Sequence, residues 1–253
     1  VEELKEPEVG ELEKPRPVKL EKPPQKPSGP PVGKYVYCIV PSDDKETSFG
    51  NIGIGNGGEV YTIPYRDVAA VISDSPLEEY ELSEENMRIH EGVVNTVMKN
   101  YSAVPAAFDQ VFKNQKILRA IMRRAYPTLK KCTDLVKGRV ELGVKAIMSK
   151  EMAESLEGKR EKFVKRCASD ILESLNKIAA QSVEGRLFSK RLVLNASFLV
   201  DRDKIEEFSE EVGRLSEKYK KLTIKHSGPW APYSFVYIRI GAKGVEVGRR
   251  EVM

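Results

Sequence analysis

The chain has few of the residues on which catalytic and metal sites depend. Its 253 residues include two histidines and three cysteines. The cysteines Cys38, Cys132 and Cys167 are widely spaced in apolar segments, so buried, reduced thiols are expected rather than a disulfide framework or a metal site. There is no nucleophile motif and no Cys-x-x-Cys pair. The sequence therefore favours a protein without catalytic activity, metal or cofactor.

Long apolar runs and a strong charge excess are also missing. No apolar stretch approaches the roughly 20 residues that span a bilayer, and the first residues lack the short apolar core of a secretory signal. The formal charge is +4, from 42 basic and 38 acidic side chains, so the long-range field is weak and gives little support for a nucleic-acid partner. We therefore expect a folded protein of the cytoplasm without membrane spans.

Residues 1–32 differ in composition from everything that follows. They contain about half of the chain's 15 prolines, no aromatic residue and a near-balanced mixture of Glu and Lys. Such a segment buries too little apolar surface to offset its ordering entropy, so an extended, polyproline-like tail is predicted. A linker or spacer is the simpler interpretation, and a docking motif for a partner is the alternative.

Removing residues 1–32 is predicted to leave the thermal midpoint of the remaining chain nearly unchanged. The reason is that almost nothing in this segment can join a hydrophobic core. Calorimetry of the full and truncated chains measures the difference. A fall of many degrees would show that the tail packs against a folded domain.

Residues 33–137 are predicted to form an N-terminal α+β domain. The segments KYVYCIVP, EVYTIPYRD and VAAVISDSP have the aromatic and β-branched content of strands, and the first has no polar face, which places it inside a sheet. Pro64 moves the second strand toward an edge or a bulge. The glycine-rich stretch FGNIGIGNGG lacks the Lys and hydroxyl residue of a phosphate-binding loop, so a flexible loop or bulged turn is expected.

The helices of this domain carry clear end signals. A first helix is predicted to begin after Ser83, and its apolar stripe includes His90, which is expected to be a satisfied core histidine. A second helix is predicted from Asn114, with Pro127 kinking or restarting it and Gly138 ending it.

Residues 138–253 repeat this mixture of strands and helices. Strands are predicted at RVELGVKAIM, RLVLNASFLV, KLTIKH and SFVYIRI, with a long helix between the first two and the amphipathic helix DKIEEFSEEVGRLSEKY after the second. This order predicts an antiparallel sheet covered on one side by helices, in a modified ferredoxin-like domain. The fold class is therefore α+β, with two α+β domains.

Five segments give the chain a resemblance to a known family. They are YVYCIV, VPAAFDQVF, GRVELGVKA, RLVLNASFLVDR and SGPWAPYSFV, and their order and character resemble the gas vesicle protein F/L family (GvpL/GvpF). The resemblance covers essentially all of residues 33–253, and the tail lies outside it.

The most specific element is a proline-rich motif near the end of the chain. It resembles the family's Gly-Pro-Trp-Pro-Pro-Tyr motif at Gly228, Pro229, Trp230, Pro232 and Tyr233, with Ala231 as a departure. The other family-motif positions that could bind a partner are Pro105, Phe108 and Asn195. Further departures are Cys38, where glycine is common, and Ala106 and Ala107, where relatives tend to carry a bulkier or basic residue.

The resemblance implies a minor component of gas vesicles, the gas-filled protein shells that provide buoyancy. It implies a protein that binds the small hydrophobic shell protein, gas vesicle protein A, prevents its aggregation and assists nucleation. Other accessory gas vesicle proteins are implied as further partners, and the implied location is the gas vesicle in the cytoplasm. The residues alone leave two alternatives open, a ferredoxin-like module that binds RNA or one that binds a small molecule.

Two roles are possible for Trp230, the single tryptophan of the chain. Pro229 and Pro232 fix the backbone on either side, so the ring is held in one orientation at low entropic cost. It could fill the hydrophobic core, or it could be an exposed anchor for a partner. The core role is predicted, because the neighbouring strand SFVYIRI needs its register fixed at one end.

Overall fold

The first sheet is built around strand β1 (Val32–Pro41), most of whose side chains are buried. The computed structural model describes residues 31–43, 45–156, 158–241 and 244–249, so residues 1–30 of the predicted tail lie outside the described residues. Val32 already pairs with Pro76. β1 has antiparallel neighbours on both sides, which confirms the interior strand predicted from KYVYCIVP.

The other strands of this sheet have between two and nine residues. They are β2 (Ser48–Asn51), β3 (Glu59–Tyr65), β4 (Val68–Pro76), β5 (Val104–Pro105) and β6 (Val111–Phe112). The order is β2-β3-β4-β1-β5, with β6 also paired to β1. The glycine-rich stretch, expected to be a loop or bulged turn, contains β2 with a register shift after Ser48 and the short helix α1 (Ile54–Gly57).

Two helices cover opposite faces of this sheet. Helix α2 (Glu84–Met98) packs on the face that carries Tyr35 and Tyr37, and helix α3 (Gln115–Val136) packs on the face of Val36 and Ile39. Alternate residues of β1 therefore belong to different clusters, as a strand buried on both faces requires.

The helix ends follow the predicted signals. The Ser83 hydroxyl accepts a hydrogen bond from the Asn86 N–H, so the predicted cap is confirmed. The second helix begins after Asn114, as predicted, and the Asn114 side chain caps it by accepting from the Ile117 N–H. Gly138, with φ of +71°, follows the end of α3. Pro127 lies inside α3, which continues as one element and does not restart there.

The second sheet has four antiparallel strands in the order β10-β7-β9-β8. These are β7 (Arg139–Met148), β8 (Gln181–Glu184), β9 (Leu192–Asp201) and β10 (Leu222–Trp230), and the accompanying helices are α4 (Lys150–Ser155), α5 (Arg160–Asn176) and α6 (Ile205–Lys218). Val144 and Phe198 share a core cluster with Ile171 of α5 and Phe208 of α6. One face of the sheet is thus covered by helices, as the α+β prediction requires.

The last predicted strand does not join this sheet. Strand β11 (Tyr237–Gly241) pairs with β12 (Gly244–Gly248) and packs beside the first sheet, where the Ala107 N–H donates to the Ile238 carbonyl at 2.7 Å. Ile238 and Ile240 belong to the cluster that α3 covers. The edge position next to β9 is taken by β8, which the sequence did not predict because QSVE contains a single apolar residue.

The division into two domains at residues 137 and 138 stays a prediction. The strands of the first sheet all precede this point and those of the second sheet follow it. The described residues from Pro31 onward belong to one compact unit, and one cluster of buried side chains includes members from both sheets.

Candidate functional site

The face of the second sheet opposite its helices is partly open. Because side chains alternate along a strand, Leu142 and Val144 face the helices, whereas Glu141 and Lys145 lie on the other face. A groove of about 560 Å³ lies there, between helix α2 and strands β7, β9 and β10. We call it the sheet groove. Its lining includes Glu91, Lys145, Asn195, Lys225, Trp230 and Tyr233.

Trp230 stands at the sheet groove with 49% of its surface exposed. Its indole Nε1–H donates to the Ser227 hydroxyl at 3.3 Å, and in the strand register it lies opposite Glu141. The prediction that this ring fills the core is wrong. The surrounding residues 228–236, which we call the tryptophan segment, instead bury several neighbours of the ring, among them Ala231 and Phe235, which are 3% and 2% exposed.

A buried hydrogen-bond cluster holds the chain just after the tryptophan. The Ser234 N–H donates to Glu141 Oε2 at 2.9 Å, and the Ser234 hydroxyl donates to Glu141 Oε1 at 2.6 Å. The Ser197 hydroxyl lies 3.2 Å from that of Ser234. Glu141 is 7% exposed, so both carboxylate oxygens are used inside the protein. This cluster ties the tryptophan segment to β7 and β9.

Gly228 sits where a side chain has no room. Its φ is +118°, and a Cβ atom there would lie 2.7 Å from the Glu141 carbonyl oxygen. The Gly228–Pro229 peptide bond is cis. Close backbone packing of this kind requires glycine, and it fixes the entry to the tryptophan segment.

A second, smaller pocket of about 250 Å³ lies beside the groove. We call it the apolar pocket. It is lined by Leu82, Met87, His90, Ala106, Ala107, Phe108, Tyr233 and Tyr237. Tyr233 borders both cavities, so the groove and the pocket share a wall.

The back of the apolar pocket is a rigid aromatic cluster. His90 is 1% exposed, and its Nδ1 is hydrogen bonded to the Tyr35 hydroxyl at 3.0 Å, as expected for a satisfied core histidine. The His90 ring lies 5.6 Å from that of Tyr37 and 5.9 Å from that of Phe108. Burial raises the pKa of both tyrosine hydroxyls above the usual value, so they stay protonated. The two tyrosine side chains behind the pocket are therefore uncharged.

The eight predicted motif residues divide into lining and supporting positions. Trp230, Tyr233 and Asn195 line the sheet groove, and Phe108 and Tyr233 line the apolar pocket. The others are structural: Pro105 is buried in β5 opposite Cys38, Pro232 is buried, and Gly228 and Pro229 belong to β10.

Sequence reasoning missed Glu141 and Ser234. Apolar and charged residues alternate around Glu141 in RVELGVKAIM, a pattern that predicts a solvent-facing side chain, and Ser234 lies 93 residues away. No local pattern links two such positions, because their contact depends on how the tryptophan segment crosses the sheet. Glu141 is one of three charged residues in β7, beside Arg139 and Lys145, so the strand's own sequence does not single it out.

The described residues hold no group of three or more His, Cys, Asp or Glu side chains placed to bind a metal ion. All three cysteines are free and buried, as expected, and burial raises the pKa of each thiol. This disfavours the reactive thiolate form. Among the helices that the structure describes, none has the length and apolar character of a membrane span.

Comparison with known proteins places these features in a family. The family model described as Gas vesicle synthesis protein GvpL/GvpF matches residues 33–165 and 148–237. Gas vesicle protein F of Haloferax mediterranei is 35% identical over 82% of this chain and 95% of that protein. Gas vesicle protein F1 of Halobacterium salinarum is 31% identical over 85% of this chain and 98% of that protein.

A solved structure has the same fold. The crystal structure of the gas vesicle protein GvpF from Anabaena sp. has a TM-score of 0.72 and 21% identity, and the match covers 81% of this chain and 95% of that chain. The matched ranges include both sheets and the tryptophan segment. The chain therefore belongs to the GvpL/GvpF family of gas vesicle synthesis proteins.

Proposed function

We propose that this chain binds the hydrophobic shell protein of gas vesicles, gas vesicle protein A, keeps it from aggregating before assembly and so assists nucleation. Family membership supports an accessory role in gas vesicles and names no enzyme activity. The observation that carries the finer proposal is the half-exposed Trp230 ring at the sheet groove. The protein would act at the gas vesicle in the cytoplasm, together with other accessory gas vesicle proteins.

Trp230 has the properties of a binding anchor. Tryptophan is enriched among the few residues that dominate interface energies. The ring is set in place before any partner arrives, because Gly228 packs against the β7 backbone and Ser234 is bound to Glu141. A preformed anchor loses little conformational entropy on binding, which leaves more of the contact energy for affinity.

The apolar pocket extends this surface toward helix α2. Its volume of about 250 Å³ and its lining by Met87, Phe108 and Tyr237 suit apolar side chains of a partner. The pocket is also lined by Ala106 and Ala107, where the family resemblance leads us to expect bulkier or basic residues. Their small side chains leave the pocket open. An amphipathic helix with apolar residues at three- and four-residue spacing is the natural occupant of such a groove.

The chemistry of the partner explains why such a site is needed. A shell subunit must present an apolar face to gas, and before assembly that face is exposed to water. Large exposed apolar patches promote aggregation. A partner that covers this face transiently would keep the subunit available for ordered assembly.

The two alternatives are weaker. An RNA-binding sheet needs exposed aromatic rings amid basic residues. In the predicted strand SFVYIRI, which would have to supply such a surface, Phe235 is 2% exposed and Ile238 is fully buried. In the sheet groove Lys145 and Lys225 are accompanied by Glu91 and Glu141, and this mixture does not favour a phosphate backbone. No observation favours a specific small molecule.

Replacing Trp230 by alanine should separate binding from folding. Because the ring is half exposed, we expect a loss of about 1 kcal/mol in unfolding free energy and about 2 kcal/mol or more in affinity for the shell protein. The measurements are urea unfolding, pull-down of the shell protein, and the soluble fraction of shell protein on co-expression.

The matched control is Ile117→Ala. Ile117 is also a large apolar residue, 40% exposed, but it lies on α3, across the first sheet from α2. The Ile117→Ala variant should bind the shell protein as tightly as wild type does and should keep it equally soluble. If wild-type protein neither retains nor solubilises the shell protein, the proposal fails, and if Trp230→Ala binds as wild type does, the tryptophan is not the anchor.

A further inference from the structure

Helix α3 concentrates the positive charge of the protein. Between Gln115 and Val136 it has six basic side chains and one acidic one, a net charge of +5, whereas the whole chain carries +4. All other residues together therefore sum to −1. The basic residues are Lys116, Arg119, Arg123, Arg124, Lys130 and Lys131, and the acidic one is Asp134.

The basic side chains at the two ends of the helix differ in their ion pairing. Near its end, Lys130 pairs with Asp67 at 3.2 Å and with Asp134 at 2.6 Å. Lys116 and Arg123 are exposed, and among the described residues no carboxylate lies within 4.0 Å of either charged group. Among the described residues, four of the five α3 cations without an ion pair thus lie in the first half of the helix: Lys116, Arg119, Arg123 and Arg124.

Lys116, Ala120 and Arg123 share one exposed face of the helix. Their positions i, i+4 and i+7 recur on one side of an α-helix, and the row is about 10 Å long. The small side chain of Ala120 lies between the two cations, so another chain can approach the helix closely. A shallow groove of about 660 Å³ runs here, bordered by Tyr65 and Arg119.

Neighbouring cations are held in fixed positions. The Arg119 guanidinium donates to the Pro64 carbonyl at 3.1 Å. The Arg66 guanidinium lies 4.7 Å from the centre of the Tyr126 ring and 5.6 Å from that of Tyr65. Side chains that are already ordered lose less entropy when they meet an anion. The face is therefore prepared for a negatively charged partner.

We infer that this surface, which we call the α3 basic face (Arg66, Lys116, Arg119 and Arg123, with Tyr65 and Ala120), binds an acidic helical segment of another protein. Carboxylates at three- and four-residue spacing on one helix match the row of cations on α3. The face lies across the first sheet from α2 and the sheet groove, so this interaction is separate from the proposed shell-protein site.

A nucleic acid fits this face less well. Binding through phosphates commonly uses about six to ten contacts, and a row about 10 Å long offers too few. Farther along α3, Lys130 is already paired with Asp67 and Asp134, so it offers little to a phosphate backbone that continued along the helix. An acidic segment of two or three helical turns matches the length of the row.

The test uses the full chain and a labelled peptide of alanine and glutamate, with glutamate at positions matching the row. We expect fluorescence anisotropy to show binding at low ionic strength that weakens as salt is added. The double variant Lys116→Glu with Arg123→Glu should weaken binding about tenfold or more. The neutral pair Lys116→Gln with Arg123→Gln should weaken peptide binding less. Because it adds no acidic groups, it still tests the inference if the charge-reversed variant misfolds.

The matched control is Lys162→Glu with Lys165→Glu. These residues are exposed on α5, and the change in total charge is the same. Peptide affinity should stay within about twofold of wild type. Shell-protein binding should be unaffected by both double variants, which keeps a failure of this inference distinct from a failure of the proposed function.

Four results would overturn the inference: no peptide binding at low salt, equal losses in the α3 and α5 variants, tighter binding of single-stranded polyuridylate than of the peptide, or self-association of the protein that the α3 variant abolishes. The last two would assign the face to nucleic acid or to a second copy of the chain.

Discussion

Glu141→Ala is expected to lower the unfolding free energy by about 3 kcal/mol, because each buried group left without a partner costs about 1–3 kcal/mol. The substitution removes the acceptor for both the N–H and the hydroxyl of Ser234. Both groups lie in a buried residue, 5% exposed, so water does not readily replace the carboxylate. Urea unfolding of the purified variant measures the loss.

Two milder variants show which contact matters. Ser234→Ala removes the hydroxyl but keeps the backbone N–H bond, so it should cost about 1 kcal/mol. Glu141→Gln keeps the shape and one acceptor, and it should cost less than Glu141→Ala. If Glu141→Ala unfolds at the same urea concentration as wild type, the carboxylate does not hold the tryptophan segment.

Gly228→Ala is expected to destabilise the protein by about 3 kcal/mol or more, since backbone strain and a fixed clash act together. The φ of +118° disfavours any residue with a Cβ, and that atom would lie 2.7 Å from the Glu141 carbonyl oxygen. Because the obstacle is backbone of a central strand, it cannot rotate away. Thermal unfolding and urea titration measure the effect.

Gly138→Ala is the matched control. Gly138 also has a positive φ, +71°, but nothing lies within 4 Å of the position of its Cβ atom. Only the conformational cost remains, about 1 kcal/mol. The difference between the two variants isolates the clash. Equal losses would show that Gly228 is required for its dihedral angle alone.

Local chemistry was enough to predict several elements of the fold. The predicted cap at Ser83 depends on a hydrogen bond three residues away, and the start of α3 after Asn114 depends on a local contact of the same kind. The interior strand β1 was predicted from its uninterrupted apolar and aromatic residues. These features need no knowledge of distant parts of the chain.

The errors concern contacts between distant segments. The pattern of SFVYIRI suits a strand in either sheet, and its true neighbours, Ala106 and Gln110, lie more than a hundred residues earlier. The proline bracing of Trp230 predicted a rigid ring but did not determine which side of the sheet it would face. A rigid aromatic residue fits the core and an interface equally well, and only the structure shows its exposure.

The candidate site was predicted in the same uneven way. The family resemblance selected Trp230, Tyr233, Phe108 and Asn195, which line the two cavities. It gave no indication that the groove and the pocket adjoin. The groove lies between helix α2 and the second sheet, whereas the pocket lies between α2, residues 106–108 and the residues Tyr233 and Tyr237.

Because Tyr233 borders both cavities, a partner that displaces its ring would couple binding in the two. A side chain that enters the apolar pocket and moves this ring changes the wall of the sheet groove, and by reciprocity a ligand in the groove alters the pocket to the same energetic extent. A helix long enough to occupy both sites gains from effective concentration, since binding at one holds it close to the other. Short fragments of a partner would then bind far more weakly than the intact helix, even when each fragment keeps all of its own contacts.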